Sequence, residues 1–216
     1  MRTLRKWIAA SALIACALAT GCTGVPGSGK AASDKREVGE FNEIDVSGVI
    51  KLEVVAHKAR SVELSGDDNL LPLVRTELQG KRLVIDSKQE LRPKQDLVAK
   101  VSAEDITLLR CSGACEIRAT GIDGAKLSLE VTGVGDVRVQ GKAAELGIDL
   151  SGAGKIDSES LVASSATVHV SGTGHVALGA LDKLDVHVSG AASVTYQGDP
   201  AVTKEVTGVG SVGKKK

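Results

Sequence analysis

Apolar and polar residues alternate strictly along much of the chain beyond residue 37. Leu127, Leu129 and Val131 alternate with Ser128 and Glu130. Leu146, Ile148 and Leu150 alternate with Gly147 and Asp149, and Leu184, Val186 and Val188 with Asp185 and His187. A period of two predicts strands with one buried face. Each run leads into a glycine-bearing segment, and a second short strand follows at Val137 and Val139, at Val176 and Leu178, and at Val194 and Tyr196. No segment carries a helical period.

The glycine-bearing segments repeat. Six share the form Ser/Thr-Gly-x-small-x-Val/Ile, starting at Ser112, Thr132, Ser151, Ser171, Ser189 and Thr207, with spacings of 20, 19, 20, 18 and 18 residues. A looser copy, S-G-V-I-K-L, begins at Ser47, and the 65 residues from there to Ser112 leave room for about three more units. One unit buries about five or six aliphatic side chains, each worth roughly 1.5–3 kcal/mol. Ordering its backbone costs roughly 1–2 kcal/mol per residue. A single unit is therefore unstable alone, and stacking supplies the missing hydrogen bonds and apolar contacts. The pattern predicts an all-β chain coiled as a β-helix or β-solenoid with rungs of about 20 residues. A β-sandwich of hairpins competes with this reading, but it does not require the same corner chemistry at every turn.

Stacking in this register predicts columns. One inward column holds Leu129, Ile148, Val168 and Val186, and Lys204 takes its next slot, as suits a partly wet terminal rung. The terminal lysines, Lys214 to Lys216, would discourage strand addition at that end, although an ordinary solvated tail explains them as well. An outward column holds Arg110, Glu130, Asp149, His169, His187 and Glu205.

The start of the chain differs. Arg2, Arg5 and Lys6 precede an apolar run from Trp7 to Ala19, too short to span a bilayer comfortably and suited to a cleaved export signal. Ala19-Thr20-Gly21-Cys22 resembles the lipobox of bacterial lipoproteins, in which the cysteine is acylated and becomes the new N-terminus. Leu13-Ile14-Ala15-Cys16 is a second match, and a secretory signal with an incidental cysteine is a third reading. Cys22 is favoured because it leaves a longer apolar run upstream. Thr23 to Lys35, rich in Gly, Ser and Ala, reads as a tether. The organisation expected is a signal peptide over 1–21, a flexible tether over 22–36 and a solenoid domain over 37–216. Thr23 after the cysteine, rather than Asp, leans toward the outer membrane, on its periplasmic side or at the surface.

The 216 residues carry no net charge, and residues 22–216 are mildly acidic at −3. Beyond Trp7, Phe41 and Tyr196 are the only aromatic residues. With neither a basic stripe nor stacking platforms, nucleic acid is not an expected partner.

Candidate chemistry is sparse. Cys111 and Cys115 flank one corner, Cys111 in an inward column with Val131, Leu150, Val170 and Val188, and Cys115 in line with Gly135, Gly154 and Gly174. Outside the cytoplasm the pair could form a disulfide; two small buried thiols is the alternative. Asp149, His169, His187 and Glu205, with strands about 4.8 Å apart, are weak candidates for one divalent metal, and His175 lies past the next corner. A column of mixed charges is the favoured reading, since a flat strand face converges poorly on one ion. A polysaccharide-processing β-helix enzyme is the alternative class, but carboxylates such as Asp136, Asp149 and Asp185 are scattered singly and aromatic sugar platforms are scarce. The chain has no G-x-S-x-G, H-E-x-x-H or P-loop motif. No catalysis and no cofactor are expected.

Three stretches carry a family resemblance: F-N-E-I-D-V-S-G-V-I-K-L-E-V from Phe41, G-D-D-N-L-L-P-L-V from Gly66, and the S-G-x-G repeats. Together, over about residues 37–212, they resemble the head GIN domain family, described as a "putative auto-transporter adhesin" domain. Cys115 and Ala192 depart from the family's usual glycine. The resemblance implies a right-handed parallel β-helix, similar to pectate-lyase folds but without their catalytic residues, and an adhesion-like role. The function expected is that of an envelope lipoprotein, membrane-held through its N-terminal lipid, whose non-catalytic solenoid binds an unidentified protein or glycan or acts as a scaffold. A purely structural envelope protein without a specific ligand is the alternative.

Overall fold

The computed structural model describes residues 24–215. Among these the repeats coil into a β-solenoid of parallel rungs of about 20 residues. The competing sandwich is ruled out because each repeat strand pairs in parallel with its counterpart one unit away. Leu108–Cys111 lies on Ser128 to Val131 of the next rung, Val131 is followed in register by Leu150, then Val170, then Val188, and Val188 by Val206. The long strands Ala114–Val131, Val134–Leu150 and Ala153–Val170 each run from one corner, along the second face, through the return, to the next corner.

Side-chain alternation fills the interior as the pattern requires. Leu83, Ile44, Leu109, Leu129, Ile148, Val168 and Val186 form one continuous inward column, each 2% exposed or less. Lys204 stands on Val186 and is exposed. On the second face Leu52, Ile117, Val137, Ile156, Val176 and Val194 make a matching column, again almost wholly buried.

The corner explains the glycine. A Cβ at Gly133, Gly152, Gly172 or Gly190 would overlap the carbonyl oxygen of the glycine one rung below. That same carbonyl accepts a hydrogen bond from the residue after each glycine: Val134 N–H to Gly113 O (2.8 Å), Ala153 to Gly133 (2.9 Å), Thr173 to Gly152 (2.9 Å) and Ala191 to Gly172 (3.0 Å). The absent side chain is what lets two corners approach to bonding distance.

Two expectations are corrected. The 65 residues after Ser47 do not form three rungs. The Ser47 copy lies directly beneath the Ser112 copy, with Val46 against Cys111 and Val49 against Ala114. The intervening chain makes a single parallel rung below it, from Arg82–Ser87 and Val98–Ala103. Antiparallel strands then close that end: Val74–Gln79 on the first, Ser61–Asp67 on the second, and Ala31–Arg36 beyond that.

The second correction concerns the tether. Val25–Pro26 pairs in parallel with Leu91–Arg92, and Ala31–Arg36 pairs antiparallel with Ser61–Asp67. From Gly24 onward the expected linker is therefore part of the folded body. Gly27 serves close packing, since a Cβ there would run into the Asp67 carboxylate. The proposed signal peptide, Cys16 and Cys22 lie outside the described residues.

Candidate functional site: an outward ladder and an N-terminal clasp

The outward column stands as its spacing predicts. Asp45, Arg110, Glu130, Asp149, His169, His187 and Glu205 follow one another in register on the face opposite the buried column. Its lower half is an ion-pair chain. Arg110 donates from Nε (2.7 Å) and Nη2 (2.6 Å) to Glu130 and lies 3.5 Å from Asp45. The Glu130 carboxylate holds the Arg110 guanidinium above its ordinary value.

The upper half is open. The rings of His169 and His187 stack with centroids 5.0 Å apart and planes inclined by 27°. His187 Nδ1 lies 3.6 Å from Asp185 and its Nε2 3.7 Å from Glu205, both too long for direct hydrogen bonds. The rings lie face to face, so their nitrogens do not converge. Among the described residues no group of three His, Cys, Asp or Glu side chains is placed to hold a metal ion. Asp149, His169, His187 and Glu205 stand one above another in the predicted order. The register is right, but a flat strand face keeps the four groups in line. His175 belongs to a different column on the second face, between Lys155 and Ser193. Asp136 lies in that column too and pairs with Arg138 at 3.2 Å, away from Asp149 and Asp185.

At the Ser112 corner the sulfurs of Cys111 and Cys115 come together, with Cα atoms 6.1 Å apart, inside the range a disulfide spans. Both side chains are buried.

The second site is a clasp that sequence patterning did not reveal. It uses the Gly66-Asp67-Asp68-Asn69 stretch that carried the family resemblance. Asp67 is fully buried and accepts from three backbone N–H groups: Gly29 (2.6 Å), Lys94 (2.8 Å) and Gln95 (3.0 Å). These bonds, the Gln95 N–H foremost, hold its carboxyl below the usual carboxylate range. Asp68 accepts from the Ser28 hydroxyl (2.6 Å), Asn69 Oδ1 from the Ser28 N–H (2.8 Å), and Asn69 Nδ2 donates to Pro26 O (2.9 Å). Val25 N–H donates to Glu90 O (2.8 Å) and Gly27 N–H to Arg92 O (2.9 Å). The only local signal for this clasp is two acids and an asparagine in a row. Their partners lie 27–43 residues away.

Solved structures share the architecture. A "putative adhesin" from Bacteroides fragilis superposes with a TM-score of 0.71 at 20% identity, covering 89% of this chain and all of its own. A "putative lipid binding protein" from Parabacteroides distasonis gives 0.54 at 20% identity, over 89% of this chain and 99% of that one. A "putative adhesin" from Parabacteroides merdae gives 0.51 at 19%, over 90% and 100%. At such identities the likeness shows the fold alone. No curated protein matches. The family model described as "Putative auto-transporter adhesin, head GIN domain" matches residues 40–200, which span the antiparallel closure apart from Ala31–Arg36 and most of the repeats. The chain belongs to the head GIN domain family.

Proposed function

We propose that this protein is an envelope lipoprotein, acylated at Cys22, that displays an adhesin-like, non-catalytic solenoid and holds a protein or glycan on its flat outer faces. One observation carries the binding half of this reading: outside the continuous aliphatic columns lies an equally continuous polar one, Asp45 to Glu205, with Asp149, His169, His187 and Glu205 at its open upper end. A regular array of charges and hydrogen-bonding groups suits an extended partner better than a small substrate in a cleft. The family's adhesin description supports the same reading. Anchoring rests on the lipobox ending at Cys22. Thr23 after the cysteine, in place of Asp, supports sorting to the outer membrane.

Globomycin treatment with membrane fractionation tests acylation: the unprocessed precursor should accumulate, and untreated protein should sediment with membranes. Surface protease shaving then decides the leaflet. Pull-down from envelope extracts should enrich a defined partner, with loss on His169→Ala/His187→Ala; no defined partner would favour a purely structural role. Release of reducing ends from a polysaccharide panel would overturn the non-catalytic reading.

A further inference from the structure

We propose that the edge built from residues 24–29 and the loop 88–95 is the surface on which this domain stands on a bilayer, with Lys88, Arg92 and Lys94 meeting anionic lipid headgroups. The proposal rests on acylation at Cys22 and adds to it a fixed docking geometry.

Covalent reach comes first. Only Thr23 separates Cys22 from Gly24. At roughly 3.3–3.6 Å per residue, the acylated Cα is confined to within about 7 Å of the Gly24 Cα. Gly24 leads straight into the clasp. Val25 and Gly27 are bonded to the backbone of Glu90 and Arg92, and Ser28 and Gly29 to the Asp67–Asn69 stretch. A lipid on Cys22 is thus attached to a rigid edge and not to a swinging leash. The interfacial layer of a bilayer is itself about 5–8 Å deep on each side, so this edge must lie in or on it.

The loop's shape and charge fit that position. Where the upper rungs turn a tight Ser-Gly corner, the lowest rung leaves the stack after Ile85 and returns at Leu97, in line with Ser47 and Lys51 above. The excursion exposes Lys88, Arg92 and Lys94, and among the described residues none of the three forms an ion pair. The nearby acids are engaged: Asp96 with Lys51 at 2.7 Å, Asp67 with three N–H groups, and Asp68 with Ser28 and Lys30. Glu90 offsets one of the three cations, the Asp67 carboxylate lies within charge reach of Lys94, and Asp86, already paired with Arg75, lies within reach of Lys88, so the loop keeps a small positive excess. Basic groups held within a Debye length of an anionic surface each strengthen attachment several-fold.

The test uses the lipidated full-length protein in phosphatidylethanolamine–phosphatidylglycerol vesicles that carry a headgroup-attached quencher. A fluorophore is placed on Gln89→Cys or, in a second sample, on Asp199→Cys. Position 199 lies in the return of an upper rung, about six rungs or roughly 30 Å from the loop. Quenching should be several-fold stronger at position 89 than at 199. Arg92→Glu/Lys94→Glu should reduce it at 89 while the protein still floats with the vesicles. Equal quenching at both positions, or none at 89 in vesicle-bound protein, overturns the docking and leaves the anchor standing. Protein that neither floats nor shows an acyl mass at Cys22 overturns both.

Discussion

Gly152→Ala probes the stacking of corners directly. Its new methyl group would meet the Gly133 carbonyl oxygen, the acceptor for the Ala153 N–H at 2.9 Å. Backbone surrounds the site, so no flexible side chain can yield. Overpacking of this kind costs about 1–3 kcal/mol. A weakened backbone hydrogen bond adds about 0.5–1.5 kcal/mol. The alanine also restricts the unfolded chain, which returns about 0.4–1 kcal/mol. The net expectation is a loss of about 2–3 kcal/mol, a large share of the roughly 5–15 kcal/mol that holds a domain together. Urea unfolding followed by far-ultraviolet circular dichroism should show a lower midpoint at unchanged slope. Gly172→Ala, with the same surroundings one rung up, should behave alike. Gly213→Ala has open space and should stay within about 0.5 kcal/mol of the parent protein. If Gly152→Ala also stayed within that margin, close approach would not be the reason for the repeated glycine.

Other expectations follow from the same geometry. Ile148→Ala removes a side chain 2% exposed at the middle of the inward column and should cost about 2–5 kcal/mol in the same unfolding assay. Alkylation and mass spectrometry without reductant should find Cys111 and Cys115 blocked as a disulfide. Reduction should then cost about 2 kcal/mol, the value for so short a loop. Asp67 has a depressed carboxyl pKa, so its contribution is complete above the ordinary carboxylate range and is lost as pH falls through the depressed value. Proteolysis near Lys30 should accordingly speed up under acid conditions before the repeats unfold, as followed by peptide mapping.

The repeats were legible because each carries its own register mark. With Ser-Gly every 18–20 residues, the columns from Arg110 to Glu205 and from Leu129 to Lys204 could be assigned by counting alone, and the structure reproduces both. The stretch between the looser copy at Ser47 and Ser112 has no full copy of the glycine repeat. Its strands reverse direction, so Ser61–Asp67 and Val74–Gln79 share the alternation of the rungs but not their sense. The Gly24 to Lys30 segment misled for a different reason. Its composition is that of a linker, whereas its order comes from Asp67, Asp68 and Asn69, contacts that no local pattern announces. In the histidine column, spacing predicted adjacency correctly. It could not predict that the two rings would lie flat on each other and so fail to converge on an ion.

The antiparallel strands that close the lower end give the molecule a direction of growth. Val74–Gln79 and Ala31–Arg36 occupy the edges on which a further coil would otherwise be laid, so new coils can be added only from the side of Ser112 onward. A chain that crosses a membrane with its N-terminus leading delivers this template before any of the six glycine repeats. Each arriving repeat then finds a completed surface to settle on, and short-range closure with the preceding coil replaces a search among six near-identical copies. Transplanting the template to the other end should therefore slow maturation far more than it alters the final stability.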